Sequence, residues 1–111
     1  MAFSKARLYS RKSRIIAIFF RIFSHPTRQE ILLKLAKDGS CTVQELSKDH
    51  PISGPTMSEH LEQLRSVNFV SYEEKFPHIE YKLELKYILK AKEYMVDYFE
   101  RLEKLIADKN K

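Results

Sequence analysis

Residues 79–85, "IEYKLEL", alternate apolar and charged side chains one by one. Such a period of two marks a strand with one wet face. On both sides of this stretch the apolar residues recur at steps of three and four, the helical period. Residues 69–72, "FVSY", also favour a strand. Pro77 and His78 fall between the two segments, where a hairpin turns. The chain therefore predicts one β-hairpin, Phe69–Tyr72 with Ile79–Leu85, inside an otherwise helical protein.

Four helical segments precede the hairpin. In "KSRIIAIFFRIF", residues 12–23, Ile15, Ile16, Ile18, Phe19, Phe20, Ile22 and Phe23 cover nearly the whole circumference. A helix apolar all round must be buried on several sides, which points to a subunit interface as well as the chain's own core. "SHPTRQEILLKLAKDG" follows, with Pro26 suited to a first helical turn and Gly39 to a stop. In "TVQELSKDH", Thr42 and Glu45 have the capping-box spacing. The fourth segment, "SGPTMSEHLEQLRSVN", begins at Ser53 and ends near Asn68. Its Met57, Leu61 and Leu64 face one way and predict a core stripe. After the hairpin, from about Lys86, Ile88, Ala91, Met95, Tyr98, Leu102, Leu105 and Ile106 form a stripe, widened by Tyr94 and Phe99. A helix of about 22 residues spans roughly 33 Å, longer than a small domain needs to cover its core.

With 111 residues, 43% apolar and 32% charged, the chain fits one globular domain rather than a disordered segment. The net charge of +5 is uneven. Residues 1–29 carry seven basic side chains and no acid, whereas residues 30–111 sum to −2. A basic arm on a near-neutral body suits phosphate or an acidic surface; a solvated, frayed terminus is the plainer alternative. Cys41 is the only cysteine, so no intrachain disulfide forms, which fits a reducing cytoplasm. "IIAIFFRIF" is nine residues long and includes Arg21. Spanning a bilayer takes roughly 20 apolar residues, and no small-residue cleavage site follows, so neither a membrane span nor a signal peptide is expected. Catalysis finds no support: there is no Gly-rich phosphate loop, no nucleophile elbow and no Asp/His cluster.

The order helix, helix, short helix, helix, hairpin, long helix predicts a winged helix-turn-helix, mainly α with a β-hairpin wing. At this point the chain resembles a known family. "SHPTRQEILLKLA", "TVQELS", "TMSEHLEQLRSVNFV" and "YKL" look like the ArsR-type bacterial winged-helix repressors, from about Ser24 to Leu85. The most specific parts are Pro26-Thr27-Arg28, Thr56-x-Ser58-x-His60-Leu61 and Leu64-Arg65. The resemblance implies a cytoplasmic, homodimeric transcriptional repressor that binds a double-stranded DNA operator and acts by promoter occlusion. Its parts would be a basic arm and first dimerisation helix (1–23), a winged core (24–85) and a C-terminal dimerisation helix (86–111). The expected dimer interface comprises Ile15, Ile16, Phe19, Phe20, Phe23, Tyr94, Met95, Tyr98, Leu102 and Leu105.

The expected DNA contacts are Ser53, Gly54, Thr56, Ser58, Glu59, His60, Gln63 and Arg65 on the fourth helix, with Lys75 and His78 on the wing. Hydroxyls and free N–H groups at a helix start suit phosphate. Gln63 can pair with an adenine edge, and Glu59 can accept from cytosine. Each has a structural alternative: a cap for Ser53, an internal ion pair for Arg65, a solvated turn for Lys75 and His78. His60 is expected to meet backbone or DNA rather than a metal. Residues 53–66 sum to −1, and Gly54, Pro55, Glu59 and Glu62 depart from the family pattern, which often has Gln, Ser and basic residues there. Affinity is therefore expected from Lys5, Arg7, Arg11 and Lys12 as a phosphate-binding arm, with Arg28, Arg65 and the wing.

No cofactor and no regulatory metal are expected. The family's metal motif, Cys-Val-Cys-Asp-Leu, aligns with Thr42-Val43-Gln44-Glu45-Leu46, which lacks both thiolates, and residues 86–111 contain no histidine. Two rival readings follow: a winged-helix protein-interaction module without DNA binding, and a redox- or ligand-sensing member of the same family that uses Cys41 or the aromatic residues Tyr87, Tyr94, Tyr98 and Phe99.

Overall fold

The computed structural model describes residues 8–110, so Lys5 and Arg7 lie outside the described residues. Five helices and three strands follow in the order α1 (Arg11–Phe23), α2 (Pro26–Asp38), β1 (Cys41–Thr42), α3 (Val43–Lys48), α4 (Gly54–Ser66), β2 (Val70–Lys75), β3 (His78–Leu83) and α5 (Leu85–Lys109).

Local chemistry sets most boundaries. The Ser10 Oγ accepts from the Ser13 N–H at 3.1 Å and caps α1. Pro26 sits in the first turn of α2, and Gly39, at φ +86°, ends that helix by returning its N–H to the Leu35 carbonyl at 2.9 Å. Both halves of the capping box on α3 are formed: Glu45 N–H donates to Thr42 Oγ1 and Thr42 N–H to Glu45 Oε1. Helix α4 closes through Asn68, at φ +62°. Its N–H bonds to the Arg65 carbonyl and the Phe69 N–H to that of Leu64, a Schellman ending that turns the chain into β2.

The hairpin differs from its sequence reading. Strand β2 runs on through Glu73, Glu74 and Lys75, where both faces are wet and no alternation marks it. Lys75 pairs with His78, so the turn is Phe76-Pro77 and His78 opens β3. Leu85 starts α5 instead of ending a strand. A third strand, β1, pairs antiparallel with β3 through Cys41–Tyr81 and Thr42–Glu80, giving the order β1-β3-β2. Two residues are too few to show any period.

The core joins α2, α3, α4 and the sheet. Ile22, Ile31, Leu35, Leu46, Met57, Leu61, Leu64 and Phe69 are almost wholly buried, as is Cys41. Helix α1 reaches this core through Ile22 and through Phe19 and Phe23, which pack on Phe69 at 5.9 and 5.6 Å between ring centroids. Helix α5 contributes Ala91, with Ile88 and Met95 packed alongside. Beyond Ala91 no α5 residue is buried, and Phe99, Leu102, Leu105 and Ile106 are exposed. The radius of gyration is 17.4 Å, against about 13 Å for a compact chain of this length.

Candidate nucleic-acid interface

Helices α3 and α4 are joined by the short turn through Pro51 and Ile52, and α4 lies with one face inward. Met57, Leu61 and Leu64 seal that face, as their spacing predicts. Ser53, Gly54, Thr56, Ser58 and Glu59 are exposed, with His60, Gln63 and Arg65 partly so. Ser53 caps the helix: its Oγ accepts from the Thr56 N–H at 3.3 Å and donates to Thr56 Oγ1 at 2.9 Å. The two hydroxyls proposed for DNA are thus hydrogen-bonded to each other at the helix start.

Several cations expected at phosphate already have partners. Arg28 is only 8% exposed, so it is not a surface contact. Its Nε donates to His60 Nδ1 at 3.1 Å, and the His25 ring lies 5.6 Å from the His60 ring. Burial, then the Arg28 and His25 charges, hold the His60 imidazole below its ordinary pKa. Arg65 donates to Glu62 at 3.2 Å and lies over the Tyr72 ring at 4.7 Å, so its ion-pair alternative is formed. On the wing, Lys75 lies 3.7 Å from Glu80, and Glu73 and Glu74 are exposed beside it. Lys12 stands in α1, not in an arm, and is bound to Asp97 of α5 at 3.1 Å. Arg11, the first residue of α1, is exposed.

The Arg28–His60 bond escaped sequence reading, although both residues stand in motifs that carried the resemblance. Nothing in the spacing of residues 28 and 60 announces a contact, because only the packing of α2 on α4 creates it.

The expected interface residues divide. Ile16, at 4% exposure, is buried within the chain itself, and Phe19, Phe23 and Met95 pack against its core. Phe20, Tyr98, Leu102 and Leu105 remain exposed, Phe20 against Phe99 and Tyr98 against Phe99. Ile15 and Tyr94 are half-buried, and Tyr94 packs on Phe19.

Cys41 is fully buried, its Sγ 3.9 Å from Asp38 Oδ2. Burial, with Asp38 and Glu45, pushes its thiol pKa up, away from the reactive thiolate. Thr42 and Glu45, at the positions of the family's metal motif, are engaged in the α3 cap. Among the described residues no helix is long and apolar enough to cross a membrane.

A helix-turn-helix followed by a hairpin, with the second helix showing a polar face, defines a winged helix-turn-helix. The family model for bacterial regulatory proteins of the arsR family matches residues 25–72, from the entry to α2 into β2. Over those residues the winged helix-turn-helix is similar to the arsR family, in line with its motifs. Solved structures agree with the fold. An ArsR-like transcriptional regulator from Rhodococcus sp. RHA1 superposes with a TM-score of 0.75 at 21% identity, over 87% of this chain and 88% of that one. NolR from Sinorhizobium fredii gives 0.65 at 24% identity over 89% and 96%. The transcriptional repressor BigR from Xylella fastidiosa gives 0.61 at 26% identity over 87% and 95%. No curated protein matches the sequence significantly.

Proposed function

We propose that the protein is a cytoplasmic, homodimeric, sequence-specific DNA-binding regulator that represses by occluding a promoter, without a regulatory metal. The observation that carries this is the two-sidedness of α4: its inner face is sealed and its outer face stands open in an ArsR-type helix-turn-helix. Pairing through the exposed Phe20, Tyr98, Leu102 and Leu105 would set two such helices about 34–36 Å apart, one duplex turn. The base-facing candidates are Ser58, Glu59 and Gln63. The hydroxyls of Ser53 and Thr56 and the N–H groups beside Gly54 face the backbone.

One observation favours a protein partner instead. The face is poor in available positive charge: Arg28 and Arg65 are engaged, and the wing exposes Glu73 and Glu74. Fluorescence anisotropy with the DNA upstream of its own gene separates the readings. Two chains per duplex and a preference over unrelated DNA of about 10³ or more are expected for a specific regulator. Neutralising Lys5, Arg7, Arg11 and Lys12 together should flatten the salt dependence. A dimer with no duplex preference at low salt would replace this reading with the protein-interaction one.

A further inference from the structure

We propose that Arg28 and His60 form a positioning clamp on α4, closed while His60 is neutral and opened when it takes up a proton, so that acidification releases DNA. This rests on the reading of α4 as the DNA-binding helix.

Arg28 is the one charged side chain buried among the described residues, and it is tied to α4 rather than to an acid. Its guanidinium is always charged and only donates. His60 must therefore offer a lone pair at Nδ1, which fixes the neutral tautomer with its proton on Nε2. Nε2–H is thereby left as a fixed donor, and the bond ties the first turn of α2 to the middle of α4. The groups facing this ring are Arg28 and His25 from the start of α2 and Glu59 from its own helix. Arg21 of α1 acts on Arg28 in turn.

Protonating Nδ1 turns an acceptor into a donor and sets imidazolium against guanidinium. The contact changes from a charge-assisted hydrogen bond to a repulsion between cations, with His25 alongside. Only Glu59 opposes this, from an exposed position. Burial and these charges hold the His60 pKa below 6.5, so the folded chain keeps the ring neutral where the unfolded chain already binds a proton. The clamp is accordingly intact above pH 6.5 and is lost as pH falls below it through the depressed value.

The test combines imidazole nitrogen NMR with duplex affinity from about pH 7.5 to about pH 5.5, the range where histidine titrates. At the upper end the His60 signals should report the Nε2–H tautomer. Affinity should fall in step with the titration of His60, by at most about tenfold per pH unit for each linked proton. In His60→Asn an amide oxygen can take the place of Nδ1 but cannot titrate. Whatever its absolute affinity, its pH slope should be flatter than that of the wild type. Arg28→Met should likewise flatten the slope, starting from weaker binding. Wild-type affinity that stays constant while His60 protonates would overturn the clamp, as would His60→Asn retaining the full slope. If no duplex binds at all, the DNA reading fails, and the free protein still decides the clamp. The α4 amide signals should move with His60 titration in the wild type and stay put in His60→Asn; α4 signals that ignore the titration would overturn it.

Discussion

Helices α4 and α5 carry similar apolar stripes and end in opposite situations. On α4, Met57, Leu61 and Leu64 are fully buried within the chain. On α5, Leu102 is 41%, Leu105 65% and Ile106 61% exposed. The α4 stripe meets α2, α3 and the sheet, whereas the outer half of α5 touches α1 through Asp97 and Phe99 and leaves Leu102, Leu105 and Ile106 uncovered. The same spacing therefore closes a core in one place and leaves a face unfinished in the other. Isolated exposed leucines are ordinary, but an apolar face of this kind is what the proposed pairing would cover.

The sharpest way to break this contrast is at the closed side. Phe69 is fully buried between Phe19 and Phe23. Phe69→Ala should cost about 3–5 kcal/mol, read by chemical denaturation, and should loosen α1 on the core. A loss below about 1 kcal/mol would mean that α1 packs on something else. The open side should respond differently. Leu102→Glu should leave the helical circular dichroism intact and weaken self-association roughly 10–100-fold by sedimentation, as expected when an apolar side chain worth about 1.5–3 kcal/mol is denied burial. Unchanged association would move the interface elsewhere. The smallest effect belongs to the end of α4 itself. Ser53→Ala removes the cap on the Thr56 N–H and should cost about 1 kcal/mol of stability. Duplex affinity that falls by much more than that stability change accounts for would show that Ser53 also contacts the DNA.

Much of the architecture was legible because it is written locally. The Thr42–Glu45 box, Pro26, Gly39, Ser53 and Asn68 each fix a boundary through backbone chemistry within a few residues. Strand β1 was not legible, since two residues carry no period and its pairing with Tyr81 and Glu80 is set by the fold. The polar half of β2 was hidden for a related reason, as a strand wet on both faces reads like a loop. At the candidate interface, residue identity indicated which face of α4 is open but not which charges are available. Arg28 and Lys12 read as surface cations in sequence, yet each meets a partner brought from another element, His60 and Asp97, whereas the ion-pair alternative for Arg65 is met by Glu62 three residues away. Long, flexible side chains choose partners in space, and no local pattern records the choice.

The junction after the wing has a mechanical outcome. Only Glu84 separates β3 from α5; its N–H bonds to the Phe69 carbonyl at 2.9 Å and its carboxylate accepts from Ser71 Oγ at 2.6 Å. With no slack at that joint, hairpin and rod turn as one lever. A small pivot of α5 at its far end would swing the Phe76-Pro77 tip through an arc, so whatever grips the rod also aims the wing.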